Sequence, residues 1–300
     1  MAGCELCPRR CLTDRSVSVG YCGQRDTVRV ARAAAHMWEE PCISGKNGSG
    51  TVFFCGCTLK CVYCQNAEIS RHGDTEKGIA VSIDELAEIF LRLQKAGMHN
   101  INLVTPTMFS RQIEKAVSIA KNSGLTLPIV YNTSGYELCD ALAVMADQID
   151  IYMPDFKYLS SELAEKYSGA PDYPAHAKAS LDMMVKKIGE AKFSDDGMMK
   201  HSVIVRHLLL PGQLKESIRI IDYLFSEYGN SIYYSLMSQY TPLPSLDVER
   251  FPELNRRVTT YEYNKLIDHA ASIGIVNGFI QDGAAAHESF IPSFMGEGVR

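Results

Sequence analysis

The 300-residue sequence contains no continuous apolar run of about 18 residues, the length that crosses a bilayer, so no membrane span or membrane partner is expected. The first residues, MAGCELCPRRCL, lack the apolar centre of a secretory signal. There is no excess of positive charge either: 30 Lys and Arg stand against 35 Asp and Glu, for a net charge of −5. That offers no basic footprint, and no nucleic-acid partner is expected. Together these absences point to a cytoplasmic protein, in a compartment that keeps thiols reduced. Disulfides are therefore not the expected use of its cysteines.

Ten cysteines are present, and they are not spread evenly. Cys4, Cys7, Cys11 and Cys22 lie near the start, and Cys55, Cys57, Cys61 and Cys64 crowd into one short stretch. Clustered thiols in a reducing compartment suggest metal ligands. Residues 1–50 also hold the single Trp38 and the glycine-rich loop SGKNGSG, and read as a cysteine-rich N-terminal segment with little regular structure. Residues 51–300 read as a second unit.

From Thr51 onward, apolar strand-like runs alternate with helical text. TVFFCGC, NINLVTPT, PIVYNTS, IDIYMPDFKY, HSVIVRHLLLPG and SIYYSLMSQYTP read as strands, with GFIQD as a short seventh. Between them, Ile83, Leu86, Ala87, Phe90 and Leu93 recur at helical spacing, after a Ser82/Glu85 capping box. A second capping box, Thr259/Glu262, opens a late helix. Strands separated by helices imply parallel β/α units, and their near-continuous apolar text implies burial on both faces. The expected fold is α/β, a partial (β/α)6 TIM-type barrel. Polar pairs recur at the C-terminal ends of successive strands: Thr105/Thr107, Asn132/Ser134, Asp155/Lys157, Arg206/His207, Ser238/Gln239 and Gln281/Asp282. That rim is where barrels place their sites.

Cys57, Cys61 and Cys64 have the spacing C-x3-C-x2-C directly after the first barrel strand. Two readings compete. A structural zinc site needs four closed ligands, which Cys55 or His72 would complete. A 4Fe–4S cluster takes one thiolate per iron, so three local cysteines leave one iron open to a small molecule. Cys55 itself reads as a packed small hydrophobe.

GCTLKCVYCQN resembles the signature of the radical S-adenosylmethionine (SAM) superfamily, with the aromatic Tyr63 just before the third cysteine. The phrases HMWEEPCISG, GSGTVFF, CVYCQNAEIS, INLVTPT, YNTSGY, MPDFKY, VRHLLLPG and SLMSQYTP are similar to the pyruvate formate-lyase activating enzyme homologues, specifically the PflX branch. The resemblance implies a partial barrel in which Cys57, Cys61 and Cys64 hold a 4Fe–4S cluster and SAM chelates its fourth iron. It further implies an oxidoreductase in which one electron breaks SAM into methionine and a hydrogen-abstracting 5′-deoxyadenosyl radical. A reductant such as flavodoxin or ferredoxin and a glycyl-radical enzyme are the partners it suggests.

Activating enzymes carry Gly-Gly-Glu near the SAM amino group, where this sequence has Thr105-Pro106-Thr107. The hydroxyls of Thr105 and Thr107 are candidate substitutes. Asn132 and Ser134 are candidates for the ribose or carboxylate, and Asp155 with Lys157 matches an acidic-x-basic pair of the family. The alternative for that pair is a structural ion pair. Of the adjacent Arg206 and His207 only one side chain points inward, and His207 is the expected one. Cys4, Cys7, Cys11 and Cys22 are expected to close a zinc site or a second iron–sulfur cluster that staples a segment with little core. Alternatives to glycyl-radical activation are radical chemistry on a small molecule or peptide, or a metal-stabilised binding protein without turnover.

Overall fold

The computed structural model describes residues 3–71, 77–280 and 292–300. Its strands are β1 Val28–His36, β2 Ser49–Phe54, β3 Ile79–Val81, β4 Ile101–Val104 and β5 Ile129–Thr133. They continue with β6 Ile151–Pro154, β7 Lys192–Phe193, β8 Met199–Leu208, β9 Tyr233–Met237 and β10 Gly278–Ile280. The sheet runs β10-β9-β8-β6-β5-β4-β2-β1-β3, with β7 paired to β8. From β2 to β10 along this path every pairing is parallel. The fold is α/β with a mostly parallel sheet, consistent with a partial TIM-type barrel. No helix among the described residues is long and apolar enough to cross a membrane.

The strands form because their residues are buried on both faces: β2, β4 and β6 are buried at every position. The helix Ile83–Lys95 starts at the Ser82/Glu85 capping box and buries Leu86, Ala87, Ile89, Phe90 and Leu93. The Thr259/Glu262 box opens the helix Thr260–Ser272. Both are start signals legible from the spacing of hydroxyl and carboxylate alone.

One expectation needs correction. Residues 28–50 have regular structure: β1 pairs antiparallel with β2 and carries β3 on its other side, so the sheet continues across residue 50. The strand text VRVARAAAH buries Val28, Val30, Ala31 and Ala33 and leaves its last three residues partly or fully exposed, as a strand near the margin of a sheet does. The stretch without helix or strand is 3–27.

Candidate functional site

The site begins where β2 ends. Gly56 follows with φ +86°, and a Cβ there would lie 2.5 Å from Gln24 Cγ and 2.7 Å from the Cys22 carbonyl oxygen. Only glycine fits such a turn. The turn also separates Cys55 from its neighbours: Cys55 packs among Ala31, Phe53, Ile69, Val104 and Phe294. Cys57, Cys61 and Cys64 instead line one cavity of about 220 Å3 at the C-terminal ends of the parallel strands. Each sulfur has a hydrogen-bond donor: Leu59 N donates to Cys57 Sγ at 3.4 Å, Ser168 Oγ to Cys61 Sγ at 3.1 Å, and Ser70 Oγ to Cys64 Sγ at 3.4 Å. The loop is held from outside. Val62 N donates to Tyr167 O at 2.8 Å, and the Arg71 guanidinium to Cys61 O at 2.6 Å.

Burial pushes the Cys57 thiol up to about 12, and the neighbouring Cys64 and Cys61 push it further in the same direction. Cys64 is raised by burial and then by Cys61. Thiols crowded together as Cys57 and Cys64 are with Cys61 ionise together only around a strongly positive centre, which iron supplies. A closed structural zinc site takes four ligands, and this cavity offers three thiols. A four-iron cluster places each thiolate on a different iron, so its ligands stand apart. The donor set therefore fits a cluster.

Opposite the cysteines the cavity is lined by Thr105, Asn132, Ser134, Asp155, Lys157, Arg206 and Gln239. Tyr63 also reaches it, and its hydroxyl bonds to that of Tyr158 at 2.7 Å. Asp155 and Lys157 form an ion pair at 2.6 Å. Burial lowers Lys157, but the Asp155 carboxylate beside it outweighs this and holds the ammonium protonated. Thr105 has φ +57°, a strained position for a β-branched residue, at the end of β4.

Two sequence-predicted residues are elsewhere. Thr107 is buried away from the cavity, and its hydroxyl donates to Glu137 at 2.6 Å. A tight turn after Thr105 starts a short helix at Thr107, so the two threonines do not share a face. His207 also faces outward, where it bonds to Phe156 O and to Ser217 Oγ, both at 2.8 Å. Strand alternation puts its neighbour Arg206 in the cavity instead. Burial lowers His207, and since its Nδ1 faces a carbonyl, Nδ1 carries the proton and Nε2 accepts from Ser217. Gln281 and Asp282 lie outside the described residues, as does His72.

The sequence reading also missed a polar wall. Glu39, from the β1–β2 connection, accepts from Asn102 at 2.8 Å and from Arg206 at 3.0 Å. Glu40 stands 3.7 Å from the same guanidinium. His36 on this wall is held down to about 4 by burial and then by Arg32 and Arg206, and so is neutral. In the sequence the HMWEE text stands out only as part of a family resemblance. Its function as a wall needs β1 beside β2, which the strand pattern after residue 51 does not reveal.

The N-terminal thiols pack beside this site. Cys4 pairs through its backbone with Leu12 and Thr13, and Cys22 O accepts from Cys57 N at 3.3 Å. A Cβ on Gly20 would lie 3.4 Å from Cys11 Sγ and 3.6 Å from Cys22 Sγ. Burial pushes Cys7 up to about 12 and raises Cys22. Burial also pushes Cys11 up, but hydrogen bonds from Thr13, Tyr21 and Cys4 outweigh it and hold the thiol below its usual value. No disulfide joins any of the ten cysteines. Arg9 ties this segment to the barrel through the carbonyls of Thr58 and Ser168, both at 2.9 Å.

Three thiols at the strand ends of a parallel α/β sheet, with a polar cavity alongside, fit a metallocluster with room for a small molecule next to the metal. Residues 51–224, more than half of the chain, match the family model described as "Radical SAM superfamily", and the chain belongs to that superfamily. A 4Fe–4S cluster and SAM, with a need for an electron donor, come with that membership. The chain is 28% identical over 274 residues to the uncharacterized protein MJ0674 of Methanocaldococcus jannaschii, covering 89% of this chain and 74% of that one. Among solved structures it is similar to Streptococcus suis SuiB bound to the precursor peptide SuiA, at 13% identity and a TM-score of 0.49. It is also similar to SuiB bound to S-adenosylmethionine, at 12% identity and a TM-score of 0.44. These matches cover 75% and 72% of this chain, but only 46% and 42% of the SuiB chains, less than half of their length.

Proposed function

We propose that Cys57, Cys61 and Cys64 hold a 4Fe–4S cluster at the cavity mouth and that SAM binds in the cavity against it. The observation that carries this is the convergence of the three thiols on one strand-end cavity, each sulfur with a hydrogen-bond donor. Held by these three thiolates, a cluster would supply the one electron that cleaves SAM to methionine and a 5′-deoxyadenosyl radical. The protein's residues orient SAM and exclude water from it. Asn132 and Ser134 bind the ribose or carboxylate. Thr105 and its neighbouring backbone serve the amino group, and the Asp155–Lys157 pair fixes the polar floor beneath. Tyr63 packs at the cofactor.

The narrower reading is activation of a glycyl-radical enzyme by hydrogen abstraction from a glycine, with a flavodoxin or ferredoxin as reductant, in the cytoplasm. What supports it is the run of phrases shared with the activating enzymes, from HMWEEPCISG to SLMSQYTP. Cys4, Cys7, Cys11 and Cys22 hold a second metal centre, zinc or iron–sulfur, which staples residues 3–27 in place of a hydrophobic core.

Anaerobically reconstituted protein, once reduced, is expected to cleave SAM to 5′-deoxyadenosine, and Cys57→Ala, Cys61→Ala and Cys64→Ala to abolish it. Full cleavage by all three variants would refute the assignment. Deuterium from a labelled candidate partner should appear in 5′-deoxyadenosine. If a deuterated glycyl-radical enzyme transfers none while a small molecule does, the narrower reading fails. Zinc and iron contents of Cys4→Ala and Cys22→Ala, against the parent, identify the N-terminal metal.

A further inference from the structure

Ser168 ends the helix Ser161–Ser168 and is 3% exposed. Its hydroxyl lies 3.1 Å from Cys61 Sγ and 2.9 Å from the Tyr158 hydroxyl, which in turn lies 2.7 Å from that of Tyr63. Four side chains from three parts of the chain thus form one line of hydrogen bonds. Its direction follows from the proton inventory. A metal-bound thiolate has no proton and can only accept. Ser168 therefore directs its single proton at Cys61, and its oxygen accepts from Tyr158. The Tyr158 proton is then committed, so Tyr158 accepts from Tyr63. All three hydroxyl protons point the same way, toward the sulfur, and hydrogen bonds aligned in this manner polarise one another. The far end, Tyr63, stands on the cavity wall.

The arrangement is rigid. Ser168 O accepts from Arg9 at 2.9 Å, and the preceding carbonyl, Tyr167 O, accepts from Val62 N at 2.8 Å. The helix end is thereby locked onto the cysteine loop, and the serine hydroxyl stays beside the sulfur. The donors to Cys57 and Cys64 stand further off, both at 3.4 Å.

We propose that the Tyr63–Tyr158–Ser168 chain sets the reduction potential of the cluster through Cys61, with Ser168 as the positioning residue. The inference rests on the cluster assignment above. Reduction adds one electron to the cluster, and no proton moves along the chain. The added negative charge is shared by the sulfurs, so a donor aimed at one of them stabilises the reduced state more than the oxidised state and raises the potential. In its absence the cluster is harder to reduce.

The test is a redox titration of the reconstituted full-length protein without SAM, followed by electron paramagnetic resonance, with iron and sulfide contents matched to the parent. Ser168→Ala is expected to move the midpoint to a more negative potential, and Ser168→Thr, which keeps the hydroxyl, to restore it. Tyr158→Phe is expected to give a smaller shift in the same direction, and Tyr63→Phe the smallest. A parent-like midpoint in Ser168→Ala overturns the proposal. Equal shifts in Ser168→Ala and Ser168→Thr overturn it too, since packing rather than the hydroxyl would then be responsible. Should Ser168→Ala fail to retain its cluster, an unshifted Tyr158→Phe overturns it. A parent protein that gathers no four-iron cluster overturns the underlying assignment instead, and is recognised by the missing signal.

Discussion

Glu137 is a carboxylic acid buried behind β5, on the side away from the cavity, 1% exposed, and among the described residues no ion pair reaches it. One of its oxygens accepts from Thr107 at 2.6 Å, from Thr133, and from Tyr131 at 3.5 Å. Burial raises it from its ordinary 4.5 to about 7, and the three hydroxyls only partly oppose this. The sign follows directly. Between these values the folded protein binds a proton that the unfolded chain has released, so stability falls as pH rises. The contribution is fully present below 4.5 and is lost as pH passes through about 7. Between about pH 5.5 and about pH 8.5 the linkage integral comes to about 2 kcal/mol. Glu137→Gln keeps an acceptor for the hydroxyls and removes the titration. Anaerobic urea unfolding of parent and variant at the two pH values measures the difference. The parent should lose about 2 kcal/mol more than the variant on going to the higher pH. Other titrating groups, including His36 and His207, are present in both proteins and cancel. Equal pH dependence in the two would refute the reasoning, and a greater loss in the variant would show that the carboxylate is stabilised rather than merely tolerated.

Other expectations follow from single contacts. Thr105→Gly relieves backbone strain on the order of 1–3 kcal/mol against about 1 kcal/mol for the greater freedom of unfolded glycine. Thermal unfolding should show unchanged or higher stability, and a loss of about 2 kcal/mol or more would contradict the strain. Asp155→Asn leaves the half-buried Lys157 without its partner and should lower stability by about 2 kcal/mol, less than a fully buried pair would because solvent reaches both groups. Equilibrium dialysis of SAM should show weaker binding in the same variant. Arg9→Ala removes the guanidinium contacts to the carbonyls of Thr58 and Ser168. It should cost about 2 kcal/mol and speed limited proteolysis within residues 3–27, while a parent-like digestion pattern would count against the clamp.

The parallel strands, the two capping boxes and the cysteine triad were legible because each depends on neighbours close in sequence. β2 reads as a strand from its own apolar run, and Ser82 caps from three residues away. The position of β1 was not legible. VRVARAAAH is ordinary outer-strand text, and what assigns it is its pairing with β2. Thr107 and His207 misled for a related reason. Alternation along an extended strand predicts a common face for Thr105 and Thr107, but the positive φ of Thr105 and the turn that follows break the alternation. For Arg206 and His207 alternation holds, yet only the packed sheet decides which of its faces is the interior. Ser168 carried no signal at all, and Glu39 none beyond its place in HMWEEPCISG. Ser168 is 107 residues from the sulfur that it touches, and a serine at a helix end is usually just a serine.

What the sequence by itself determined is the chemistry available: three thiols at C-x3-C-x2-C spacing after a strand, one fewer than a closed site needs, and the β/α alternation that puts them at a barrel rim. Local spacing is enough there, because a loop of eight residues brings its own ligands together. Only the tertiary structure decided what surrounds them. The Glu39–Arg206 wall, the Glu137 acid and the hydroxyl line ending on Cys61 join residues from distant elements. Such contacts are set by strand order and by the docking of helices, and these come from the packing of the whole core rather than from any stretch of text.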